Sequence, residues 1–204
     1  MATRQQKKIQ TRNTLIKAAL DLVDEGGSFS SISIREITKQ AGVVPTSFYR
    51  HFESTDQLGL NIVDEIGITL RKIIRSARQA DFSGHRMMQE SVDLFFDFVQ
   101  GHKEQFRFME QGRAGGSRAI RNAVRNELRF FSRELMSDLE RLKLIPDMSS
   151  ADLEMISDLV ITTVHSRIID YLDDADNPIR QQELRHKVVK QLRILFMGTS
   201  LWRT

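Results

Sequence analysis

Apolar residues recur at helical spacing along almost the whole chain, and no stretch shows the alternating, β-rich blocks of a sheet protein. The first stripe, Leu15, Ala19, Leu22 and Val23, predicts a helix over about residues 6–25, closed by Gly26, Gly27 and Ser28. In residues 33–41, Ile34, Ile37 and Ala41 fall at i, i+3 and i+7. Ser33 stands one position before that stripe and Glu36 three residues later, the capping-box pattern of a helix start. Gly42 ends the segment where a left-handed residue is expected. Pro45 opens a third segment with a preset φ, and Phe48 and Phe52, four residues apart, stack on one side of it. Leu58, Ile62, Ile66, Leu70 and Ile73 or Ile74 predict a fourth helix from about 55 or 56 to 80, with a break over 81–84. Further helices are expected near 84–100, 103–113, 117–142, 149–173 and 178–201. Their breaks fall at Gly101, Gly112, the Gly115 and Gly116 pair, Pro146, and Asn177 with Pro178. The fold class is therefore all-α with about nine helices. A three-helix N-terminal head occupies residues 1–54 and a helical bundle residues 55–204.

The second and third segments carry the most specific chemistry. At 100° per residue, Thr46 and Arg50 lie opposite Phe48, with Ser47 and Tyr49 on the flanks. The third segment should then pack through its phenylalanines and show solvent a face of hydroxyls and one arginine. That face suits a DNA major groove, where arginine reads guanine and Ser or Thr reads base edges or phosphates. The plain alternative is a small polar helix in an ordinary bundle. Capping, turn and outward chemistry coincide, which favours a helix-turn-helix.

Residues 41–52, AGVVPTSFYRHF, resemble the recognition segment of TetR-family transcriptional repressors, whose pattern is A-G-V-S-x-G-[ST]-[LIF]-Y-x-[HY]-F. Ala41, Gly42, Val43, Ser47, Phe48, Tyr49, His51 and Phe52 match that pattern. Thr46 stands where the pattern has glycine, and Thr55 where a lysine often opens the next helix, so phosphate contacts are not carried over there. The run PTSFYRHF followed by DQLGL is most similar to the FabR/DesT-like regulators of unsaturated fatty-acid synthesis. The resemblance implies a homodimer that binds a palindromic double-stranded operator and answers a small hydrophobic effector, with an acyl thioester (acyl-CoA or acyl carrier protein) as the candidate. On the residues themselves, DNA contact is expected through Thr46, Ser47, Tyr49 and Arg50, with Pro45 beside them, assisted by Ser33, Arg35 and His51; base readout falls to Thr46 and Arg50 and phosphate contact to Tyr49 and His51. The fourth helix would link the head to the effector domain.

Charge agrees with a DNA-binding head. Residues 1–52 hold eight Lys or Arg against four Asp or Glu, and the remaining 152 hold 22 against 23, so the whole excess of +3 arises in the head. Arg4, Lys7, Lys8 and Arg12 form a basic arm that either lies along phosphates or is a frayed, solvated terminus.

Seven of the twelve phenylalanines fall between residues 95 and 131, with methionines nearby. Met88, Phe95, Phe98, Phe106, Met109, Phe130 and Phe131, with His165, are the candidate lining of an apolar ligand pocket. A dense helical core is the competing reading. Arg118, Arg121, Arg125 and Arg129 make a basic stripe, suited either to thioester phosphates or simply to solvent. In the last two long helices Ile156, Val160, Val164, Val188, Leu192, Leu195 and Trp202 form candidate dimer faces, the alternative being burial within one protomer.

The five histidines are scattered without metal-ligand spacing, and no nucleophile elbow, P-loop or dinucleotide fingerprint occurs. No metal, no cofactor and no enzymatic activity are expected. The chain has no cysteine, no secretory leader and no run of 18 apolar residues, so a cytoplasmic location without membrane insertion is expected. The runner-up function is an α-helical acyl-binding or adaptor protein that does not bind DNA.

Overall fold

The computed structural model describes residues 3–79, 87–145 and 148–199, apart from the side chains of 75–79. Every regular element among these residues is a helix. In chain order they are α1 (Arg4–Asp24), α2 (Ile34–Gln40), α3 (Pro45–Phe48), α4 (Thr55–Gln79) and α5 (Met87–Gly101). There follow α6 (Lys103–Gly115), α7 (Arg118–Arg141), α8 (Ser150–His165), α9 (Ile168–Asp173) and α10 (Pro178–Thr199). The expected breaks at 81–84 and Pro146, and the expected interface residue Trp202, lie outside the described residues. No helix among those described is long and apolar enough to cross a membrane.

Local chemistry explains most boundaries. α1 starts before the predicted residue 6, because Thr3 and Gln6 form a reciprocal capping box. The expected basic arm is therefore the first two turns of α1, with Arg4, Lys7 and Lys8 exposed on it. Ser33 caps α2 as predicted: its hydroxyl accepts from the Glu36 N–H at 3.2 Å, and the Glu36 carboxylate accepts from the Ser33 N–H at 2.8 Å. α2 ends in a Schellman motif, with Val43 N–H on the Thr38 carbonyl at 2.9 Å and Gly42 N–H on that of Lys39 at 3.1 Å. Gly42 itself has φ +65°, a conformation glycine adopts without penalty.

Two expectations needed correction. The single helix over 149–173 is two, α8 and α9, broken where the Ser166 hydroxyl donates to the Thr163 carbonyl at 2.9 Å and Arg167 leaves helical geometry. Gly112 does not end α6. It lies buried within it, and a Cβ there would come 2.8 Å from Ile120 Cγ2. Gly112 is thus a point of close approach, not a helix stop.

The chain forms two compact units. One holds the residues up to Thr69 together with Lys103–Arg125, the other Leu70–His102 and the residues from Asn126 onward. In the first, α6 packs on α1, with Phe29 edge-on to Phe108 at 4.7 Å and Arg107 paired to Asp24 at 3.3 Å. Leu15, Ala19, Ile37, Phe48, Leu58 and Ile120 are wholly enclosed there. In the second, α5 and α8 pack on α10, and Phe96 lies 4.6 Å from Tyr171. Arg185 ties α10 to α5 and α9, donating to Asp97 and to the Tyr171 hydroxyl at 2.6 Å each.

Candidate nucleic-acid interface

A four-residue helix has no stability of its own, because nucleation costs more than one turn returns. α3 is held by its side chains instead. Phe48 and Phe52 are buried with ring centroids 5.6 Å apart, and the Phe48 carbonyl accepts from both His51 and Phe52 N–H at 2.9 Å, carrying the turn to Phe52. With those two side chains inward, Pro45, Thr46, Tyr49 and Arg50 are exposed, Tyr49 to 61%. Ser47 and His51 are half-buried on the flanks. Arg35 is exposed on α2. Ser33 is exposed too, but its hydroxyl also donates to Glu36 at 2.7 Å, so the cap occupies it. Those two bonds hold the Glu36 carboxyl below its ordinary range.

Positive charge converges on the end of this segment from two elements. The His51 imidazole is held below its ordinary value, first by burial and then by Lys8, Arg12 and Arg50. It is therefore neutral near pH 7 and offers one ring N–H as a donor. Arg12, read from the sequence as part of the basic arm, is engaged elsewhere. It bridges to Asn61 at 2.8 Å and Glu65 at 2.7 Å on α4. Spacing alone could not reveal that pairing, because its partners lie about fifty residues away.

Two family models match the chain. Residues 15–62 match "Bacterial regulatory proteins, tetR family", and residues 85–197 match "Tetracyclin repressor-like, C-terminal domain", the second alone covering more than half of the chain. The chain belongs to the TetR family. It is a transcriptional regulator of that type. Solved structures of TetR-like regulators share its fold. One is a putative TetR-family regulator from Syntrophomonas wolfei, 17% identical, covering 93% of this chain and 96% of its own, with a TM-score of 0.72. The fatty acid degradation regulator FadR from Bacillus halodurans is 15% identical, covers 92% and 95%, and has a TM-score of 0.73. FadR from Bacillus subtilis, solved in complex with stearoyl-CoA, is 14% identical, covers 88% and 96%, and has a TM-score of 0.64. At such identities the likeness shows the fold alone.

The residues expected to line a ligand pocket are all buried or half-buried in this TetR-family chain. Met88, Phe95, Phe98, Phe130, Phe131 and His165 belong to the second unit, whereas Phe106 and Met109 are buried in the first. Phe98 is buried with its ring 4.1 Å from that of His102, and the other five are half-buried. Phe130 stacks under Arg71 at 4.9 Å, whose guanidinium pairs with Glu127 at 2.5 Å. Phe96, outside the expected lining, is wholly buried. A groove of about 550 Å³ does exist, but it runs along α1 and the end of α2, past Ile9, Asn13, Lys17 and Gln40. In the arginine stripe, Arg118, Arg125 and Arg129 are exposed, while Arg121 is half-buried and donates to the Gly116 carbonyl.

The residues expected on the dimer faces differ in burial within the single chain. Ile156, Val160, Val188 and Leu192 are buried within the single chain, Val188 completely, and Val164 and Leu195 are half-buried. The exposed large apolar side chains of α8 and α10 are others: Met155, Leu159, Ile179 at 73%, Ile194 at 69% and Met197 at 70%. At 100° per residue Met155 and Leu159 lie about 130° and 90° round the helix from the mean direction of the buried Leu153, Ile156 and Val160. α8 therefore has two apolar faces, and the sequence offered no means of ranking them.

Proposed function

We propose that this regulator is a repressor that binds a palindromic operator as a homodimer through residues 1–54, while residues 55–204 bind a hydrophobic effector and the second protomer. One observation carries the reading: Phe48 and Phe52 turn into the core and Thr46, Tyr49 and Arg50 stand exposed on the other side of the same turn. Arg50 and Thr46 read base edges, Arg50 by its fork on guanine. Tyr49 and the neutral His51 donate to phosphates, which fix register without reading sequence. Arg4, Lys7 and Lys8 add charge along the flanking backbone, and Arg35, Pro45 and Ser47 shape the contact surface. Ser33 contributes by capping α2. The exposed Met155, Leu159, Ile194 and Met197 are the apolar surface for the second protomer, which two-fold symmetry requires to be self-complementary.

A long-chain acyl thioester is the effector class, as in FabR/DesT-like regulators. The fold likeness to two FadR proteins supports it, one of them holding stearoyl-CoA. Arg118 and Arg125, both exposed on α7, offer guanidinium groups to the thioester's phosphates.

The test is selection of random duplexes by the purified protein at roughly physiological ionic strength. Anisotropy on the winner follows, with and without saturated and unsaturated acyl-CoA. A palindromic winner is expected, and Arg50→Ala should cost about 1–3 kcal/mol on it while relaxing selectivity at one base pair per half-site. A palindrome indifferent to acyl-CoA removes the lipid and keeps the repressor. Failure to select any sequence returns the chain to a helical acyl-binding or adaptor role.

A further inference from the structure

Arg12 occupies the third turn of α1, and its guanidinium meets three other side chains of the same compact unit, two of them on α4. Nη2 donates to Asn61 Oδ1 at 2.8 Å, Nη1 lies 2.7 Å from Glu65 Oε1, and Cζ stands 5.6 Å from the centre of the Phe52 ring. The Asn61 amide nitrogen donates to the Gln57 carbonyl at 2.8 Å, which leaves Oδ1 for the arginine. Gln57 Oε1 in turn accepts the Glu53 N–H at 2.5 Å. A continuous chain of hydrogen bonds thus runs from Glu53, the exit of the recognition segment, through the first two turns of α4 to α1. Phe52, the last inward anchor of that segment, lies under the same guanidinium. The arginine fork suits this position, because it holds an amide and a carboxylate at once while stacking on a ring; an ammonium does not.

We infer that Arg12 is a positioning residue, which sets how the recognition segment leaves α3 and enters α4, and is not a phosphate contact. The inference rests on the DNA-binding reading above. A cation near the head that bound phosphate would raise the salt dependence of binding by about 0.9 per contact. A cation spent on Glu65 and Asn61 would not. The two roles also differ in sign at Glu65: removing its charge frees a phosphate-binding Arg12 and strengthens binding, but weakens binding if Arg12 positions the segment.

The experiment compares Arg12→Gln and Glu65→Gln with the wild type on the selected operator across a salt series. Both variants are expected to bind about two- to fivefold more weakly, as loss of a half-exposed pair would cause, with parallel plots of log affinity against log salt. A shallower slope for Arg12→Gln, or tighter binding by Glu65→Gln, overturns the inference. Hydrogen exchange of the DNA-free proteins is the second arm, with about tenfold faster exchange expected over residues 52–61 in both variants and none over α10. Unchanged exchange over 52–61 overturns the inference whether or not DNA binds. A wild type that selects no operator is a separate failure, that of the proposed function.

Discussion

His51 owes its protonation state to residues that its own segment does not contain. Burial and the charges of Lys8, Arg12 and Arg50 hold its folded pKa below the ordinary 6.5. Between the two values the unfolded chain binds more protons than the folded one, so the native state loses stability as pH falls through that window. The contribution is complete above about 6.5 and gone once pH lies below the folded value. In calorimetric scans from about pH 7.5 to 5.5, the wild-type Tm should therefore fall further than that of His51→Asn. Equal declines would mean that His51 titrates normally. The exposure of Thr46, Tyr49 and Arg50 could be read from a helical wheel, because burying Phe48 and Phe52 dictates it. The neutral state of His51 could not, because two of its three cations come from α1. In sequence Ser33 suits both a cap and a contact on DNA, and the structure commits its hydroxyl to the cap.

At the scale of elements, α2 and α3 are too short to persist alone, and their ends do much of the work. Replacing Ser33 with Ala removes the oxygen that receives the Glu36 N–H and should cost about 1 kcal/mol. Gly42→Ala meets no steric obstacle, since nothing lies within 4 Å of the added Cβ, but it must hold φ +65° and should cost about 1–2 kcal/mol. Denaturant titration checks both, with the midpoint shifting at constant slope. Both ends were visible in the sequence, because a cap and a left-handed glycine are chosen by residues within a few positions. The break between α8 and α9 was not, for apolar spacing continues across Ser166, where the hydroxyl takes the Thr163 carbonyl and the Arg167 N–H turns to that of Val164. Gly112 misled for a related reason: a glycine that admits Ile120 looks, in sequence, like one that stops a helix.

At the scale of the molecule, the apolar residues of α8 and α10 divide between core and surface. Leu192 and Val188 hold the second unit together, whereas Leu159 and Ile194 are exposed. Leu159→Glu with Ile194→Glu should leave helicity intact and shift sedimentation from dimer to monomer. Leu192→Ala should instead lower stability by about 2–5 kcal/mol, the cost of a cavity in a close-packed core. A dimer that survives Leu159→Glu with Ile194→Glu would move the proposed interface to another surface. The grouping of α6 with α1 is likewise a tertiary result, since nothing in residues 103–115 names its partner.

What the sequence determined alone is whatever depends on neighbours along one helix: the all-helical class, the caps, the Gly42 turn, and the outward face of the recognition segment. A 3.6-residue period orients each side chain about its own axis. It carries no information on what stands across from that axis. Only the tertiary structure could therefore decide which apolar face of α8 is buried, and that Phe106 and Phe98 lie in different units. Only it could turn Arg12, a basic residue of α1 by its spacing, toward Asn61 and Glu65.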